Sequence, residues 1–197
     1  MEFGKASEIY SLNKATYINL RWIGIIGQFT TINFVKFIFG FDFDYITANL
    51  VIFIGVISNI FLINYYKKTQ LLNRSALYFL LLDIVQLSVL LYLTGGILNP
   101  FSIFLLIPSV FASSNLEIRT NFFLIFVTLI AIILLTFYSN SLPGPLGKIL
   151  VNNYYYYSIP IALIIALIFL NFFALMFGKE SNLRKEALNK IQELISK

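Results

Sequence analysis

The chain has 197 residues, 59% hydrophobic and only 12% charged, with a net charge of +5 and neither cysteine nor histidine. Soluble domains carry roughly 25% charge, so lipid is the expected solvent and no separate soluble domain fits. The missing residue types exclude disulfides, the usual Cys/His zinc sites, and histidine acid–base or phosphohistidine chemistry within these residues.

Six apolar stretches follow in order, at 18–39, 46–65, 76–94, 100–115, 121–138 and 157–177. A span needs about 20 apolar residues to cross ~30 Å of hydrocarbon. The prediction is an all-α, polytopic six-helix transmembrane bundle over residues 1–178, with a short cytoplasmic amphipathic helix over 179–197. The first stretch opens after a polar leader and is too long for a cleaved signal peptide. The fourth is short and contains Pro108; at ~1.5 Å per residue it covers only about 24 Å, so local thinning or a re-entrant path stays open.

Basic residues set the expected orientation. With the N-terminus inside, the inner segments hold Lys5, Lys14, Lys67, Lys68, Arg74, Arg119 and five basic residues after Gly178. The outer side keeps Lys148, Lys36 near the end of the first span, and the acidic pair Asp42 and Asp44. Both termini are then cytoplasmic, in a bacterial inner membrane. The positive charge lies beside apolar spans, as a topology and headgroup signal, so no nucleic-acid partner is expected. Tyr65, Tyr66 and the run from Tyr154 to Tyr157 read as interface belts. Pro143-Gly144-Pro145 marks an outer turn.

After Gly178, read as the end of the last span, Leu188, Ile191 and Ile195 recur at helical spacing and form one apolar stripe. Such a stripe predicts a homodimer along the tail. Since it stops partway through its pattern, the expectation is a chain cut within a longer signalling helix.

Polar groups inside the spans are few. Asp83 falls roughly 10 Å below the inner surface. A carboxylate there costs on the order of 2.5–3.5 kcal/mol and needs a partner. Arg21 is the natural one, with Gln86, Asn59 and Gln28 nearby in depth; together they read as a structural polar clamp.

Residues Leu93-Thr94-Gly95-Gly96-Ile97-Leu98-Asn99-Pro100-Phe101 are coherent turn chemistry. Gly95 or Gly96 can adopt the left-handed conformation that ends a helix. Asn99 is a strong N-cap, and Pro100 suits the first helical position. These features predict an αα-hairpin at the outer surface.

Three ordered motifs also resemble a known family. Leu20-Arg21-Trp22-Ile23 with Gly27-Gln28, then Asp83-x-x-Gln86-Leu87, then Tyr92-Leu93-Thr94-Gly95-Gly96-x-x-Asn99-Pro100-Phe101, look like the membrane domain of RegB/PrrB-type (ActS-like) redox-sensing histidine kinases. The quotable likeness runs over residues 19–115. It implies that the Gly-Gly-x-x-Asn-Pro-Phe turn senses the ubiquinone pool. It also implies dimeric signalling and a cytoplasmic part with the phospho-acceptor histidine, ATP site and a redox-active cysteine, serving a response regulator. Having no histidine and no nucleotide-binding segment, these residues are not an enzyme by themselves.

The expected quinone site is Gly95, Gly96, Asn99, Pro100 and Phe101. N–H groups at the helix start would meet a quinone carbonyl, and the Asn99 amide would add a donor where the cap does not fully engage it. Phe101 would stack on the ring, and the glycines would leave room for it. The alternative class is a small transporter or channel subunit, which would show polar groups around a midplane cavity and interrupted repeats. A membrane enzyme would need a nucleophile–base pair or metal ligands, and the sequence offers neither.

Overall fold

The computed structural model describes residues 11–145 and 151–195. Lys5 and Lys148 of the charge count lie outside the described residues, as do the side chains of Leu188 and Ile195. Six α-helices stand among the described residues: α1 (Lys14–Phe37), α2 (Tyr45–Tyr65), α3 (Asn73–Leu93), α4 (Ile107–Asn115), α5 (Ile118–Phe137) and α6 (Asn153–Ile195). α1 packs on α2, and α2 on α3; α3 also meets α5, which with α4 and α6 forms the second half.

Their ends follow from local chemistry. Asn13 caps α1 by accepting from Thr16 N at 3.1 Å, and Asp44 caps α2 by accepting from Thr47 N at 3.1 Å. The Thr47 hydroxyl also donates to Asp44, and these two bonds hold the exposed carboxyl below its ordinary value. The far end of α2 is closed by Lys14, whose Nζ donates to Ile63 O at 3.0 Å and to Tyr66 O. A cation there meets carbonyls that the helix cannot pair internally.

The surface is apolar and the interior holds the polar side chains. Ile23, Phe53 and Phe126 are exposed, whereas Asn59, Gln86, Ser109, Asn121, Thr128 and Asn171 are buried. That inversion suits a membrane protein, in which lipid contacts the hydrocarbon side chains and amides find partners inside. Four helices are long and apolar enough to cross a membrane: Tyr45–Tyr65, Asn73–Leu93, Ile118–Phe137 and Asn153–Ser181. α1 is long enough but carries Arg21, Gln28, Thr30, Thr31, Asn33 and Lys36. The fourth stretch, Pro100–Asn115, is apolar but short.

Three local features add to or depart from the sequence reading. The polar leader contributes a strand, β1 (Ser11–Asn13), which pairs antiparallel with β2 (Gln70–Leu72). Leu12 and Leu71 are fully buried, so this ribbon is anchored by packing as well as by its ladder. Gly178 lies inside α6, which runs on through it, and its missing side chain lets the helix approach the backbone of Ser114. A Cβ on Gly178 would lie 2.7 Å from Ser114 O.

The fourth stretch is also not a single α-helix. Pro100–Leu106 is a 3-10 helix of seven residues that leads into α4. Runs beyond three or four residues are uncommon for this geometry. Pro108 accounts for its last turn, since it has no N–H to give Phe104 O and its ring would crowd that carbonyl in an α-helix. Ile107 N donates to Phe104 O instead, in the tighter register.

Candidate functional site

The turn after α3 is built as its residues suggest. Both glycines are left-handed, Gly95 at φ +112° and Gly96 at φ +59°. A short 3-10 turn, Gly96–Leu98, carries the chain to Asn99. Asn99 Oδ1 accepts from Phe101 N at 2.9 Å, so it is the N-cap, and Pro100 occupies the helix start. The same amide donates through Nδ2 to Thr94 O at 3.1 Å and Thr94 Oγ1 at 2.8 Å. Ser102 N donates to Asn99 O at 2.9 Å.

The predicted site residues therefore come together, with two consequences for a ligand. Pro100 has no N–H, and the next two are already bonded, so the turn presents no free donor at its helix start. Nor is there room over the glycines. A Cβ on Gly96 would lie 2.1 Å from Ser139 Oγ, and one on Gly95 would lie 2.5 Å from Leu142 Cδ1. The segment after α5 fills that face, and Asn140 N ties it down by donating to Tyr92 O at 3.1 Å. What stays open is the aromatic side: Phe101 is 40% exposed and Phe104 47%, with ring centroids 5.8 Å apart.

Midway along α3 stands the expected clamp. Arg21 Nε meets Asp83 Oδ1 at 2.9 Å, while Arg21 Nη2 donates to Ser58 Oγ at 2.9 Å. Tyr17 donates its hydroxyl to Asp83 Oδ2, and the Arg21 guanidinium lies over the rings of Tyr17 and Phe79 at 5.7 Å each. Gln86 Nε2 donates to Gln28 Oε1 at 3.1 Å, one layer further in. Gln86 also lies against Gly55, where a Cβ would come within 2.6 Å of its amide. Charge and depth identified Arg21, Asp83, Gln28 and Gln86 from the sequence. Tyr17 and Ser58 were missed, although Tyr17 sits one helical turn before Arg21.

A second, uncharged cluster escaped sequence reading altogether. Ser109 and Ser113 of α4, Asn121 of α5 and Asn171 of α6 are buried together. Asn171 Nδ2 donates to Ser109 Oγ at 3.2 Å and to Leu167 O at 2.8 Å. Asn171 alone, in the middle of the last apolar stretch, was the signal available. Among the described residues no group of His, Cys, Asp and Glu side chains is arranged to hold a metal ion.

Against known proteins, the chain aligns over 123 residues, 62% of its length, with the sensor histidine kinase RegB of Cereibacter sphaeroides at 34% identity. The chain is similar to a RegB-type sensor kinase. The resemblance carried by the three motifs thus holds over a length greater than the motifs themselves. The aligned part is 26% of RegB, so the chain spans about a quarter of that relative. No family model matches the chain, and no solved structure does. The likeness to RegB and the apolar surface together describe a membrane protein related to a sensor kinase.

Proposed function

We propose that the chain is the signal-input module of a RegB-like sensor kinase and responds to the membrane quinone pool through the turn at Gly95, Gly96, Asn99, Pro100 and Phe101. The observation that carries this reading is the alignment with RegB, taken with the presence of the whole turn in a folded, capped form. A parent protein would carry the cytoplasmic kinase part, act on a response regulator and sit in the bacterial inner membrane with both termini inside. It would be a homodimer joined along α6, on which Leu183, Ile191 and Leu194 are exposed.

The geometry narrows how a ubiquinone would bind. Asn99 shapes the turn, and Pro100 starts the 3-10 helix. The quinone ring would approach from the lipid and stack on Phe101 beside Phe104, its isoprenoid tail remaining in the apolar phase. Offset stacking of this kind is worth ~0.5–1.5 kcal/mol. Phe101→Ala should therefore weaken binding of a short-chain ubiquinone analogue to the purified chain by about two- to tenfold. The thermal melt should barely move, because the ring is on the surface. Absence of saturable binding by the unaltered chain, or equal binding by Phe101→Ala, leaves the turn as a hairpin only. The transporter reading is less well supported: the interior amides and hydroxyls bind one another in packed clusters that join helices.

A further inference from the structure

The fourth segment touches both the turn and the long last helix, and each contact is tight. At its start, Asn99 and Pro100 belong to the turn, which is wedged by Ser139 against Gly96. At its end, Ser114 lies against Gly178, with Cα 2.8 Å from where a Cβ would stand. Between them, Ser109 and Ser113 face Asn171.

The hydrogen bonds of that cluster have one consistent direction. Ser113 Oγ lies within bonding distance of Ser109 O (3.1 Å), the Asn121 amide (2.7 Å) and Asn171 Oδ1. A hydroxyl has one proton, and the oxygen and nitrogen of an amide exchange places by a half-turn. Asn121 therefore presents Nδ2 to Ser113, which gives its proton to Asn171 Oδ1. Asn171 in turn donates to Ser109 Oγ, and Ser109 donates to Leu106 O at 2.9 Å. The assignment gives Asn121 Nδ2 a partner and puts its Oδ1 in the buried place that has none. The chain of bonds ends on Leu106, the last residue of the 3-10 helix.

We propose that Pro100–Asn115 is a coupling lever, which carries displacement of the outer turn to α6 through Ser109, Ser113 and Asn171 and through the Gly178–Ser114 contact. This rests on the turn being the input, as proposed above, and names the route by which the input reaches the tail. The seven-residue 3-10 stretch supplies the travel. Each residue that passes between 3-10 and α geometry changes the length by about 0.5 Å, so three residues shift α4 by about 1.5 Å. Shifts of this size between packed helices are typical of switching proteins. Pro108 keeps the last part of the stretch in 3-10 form, so the change belongs to the turn-side residues.

The chain contains no cysteine, so a single introduced one carries a single fluorine-19 probe. Met176 of α6 is exposed between Asn171 and Gly178, and Ile54 of α2 is an exposed control. Gly96→Ala pushes on Ser139 without any ligand, and Ser139→Val presses the same face if Gly96→Ala does not fold. The Met176→Cys probe should move by more than its linewidth on this perturbation, while the Ile54→Cys probe stays still. The response should vanish in Asn171→Leu and fall at least twofold in the milder Ser113→Ala. A probe at Met176 that ignores the turn, or one that responds equally in both backgrounds, overturns the lever. A short-chain ubiquinone analogue, added separately, tests the input. If Gly96→Ala moves the probe through Asn171 and the quinone does not, the lever stands and the quinone reading falls.

Discussion

The two halves of the molecule are fastened by different chemistry. α1, α2 and α3 share an ion pair, Arg21–Asp83, reinforced by Tyr17 and Ser58. At the centre of α4, α5 and α6 the joining groups are neutral: Ser109, Ser113, Asn121 and Asn171. A charge taken from its partner in a membrane is stranded at high cost. An amide or hydroxyl that changes partner loses far less, since intramembrane hydrogen bonds between neutral side chains average about 0.6 kcal/mol and reach about 1.7. The first half is thus built to hold still, and the second to rearrange at small cost.

Thermal and denaturant melts in detergent test that contrast at its strongest point. Asp83→Asn and Arg21→Gln should each destabilise the chain by about 3–5 kcal/mol, the range for breaking a buried pair. The double change should be less harmful than the sum, because it removes both charges. Asn171→Leu should cost no more than about 2 kcal/mol. Additive effects of the two charge changes, or a loss at Asn171 as large as at Asp83, would erase the distinction between halves.

The smallest effect concerns the loop before α2. Asp44 has a lowered pKa through its bonds to Thr47, from an ordinary 3.8. A carboxyl held lower in the folded state stabilises above its unfolded value, and the gain disappears as pH falls through the folded one. Melts compared between about pH 5 and about pH 3 should show a slight acid loss that Asp44→Asn lacks. The carboxyl is exposed, so the difference should be a small fraction of the Asp83 effect. An Asp44→Asn variant with the same acid loss would show that the cap does not titrate in this window.

The same contrast decides what could be read in advance. Asp83 and Arg21 stand out because a charge inside an apolar stretch has few uses, and the partner follows from depth alone. Helix positions were legible from apolar runs, and the turn from Gly95, Gly96, Asn99 and Pro100, each with one strong conformational preference. Serines and asparagines carry no such demand. Ser113 and Asn171 are 58 residues apart, and either would be unremarkable on a lipid-facing or an interior surface. The packing role of Gly178 shows only once Ser114 is known to lie against it. That the donors expected for a quinone are engaged within the turn was not legible for a related reason. Asn99 and the helix start satisfy each other locally, and Ser139 and Leu142 come from 40 or more residues further along the chain to fill the space over the glycines.

Hydrogen exchange, followed with and without a short-chain ubiquinone analogue, asks the central question directly: whether the turn is an input and the neutral half its transmitter. Amide protection reports local opening region by region. Binding should change exchange in Pro100–Asn115 and in α6 around Asn171, and leave α1 and α2 as they were. No change at any amide at saturating analogue, or a change confined to α1 and α2, would contradict the account.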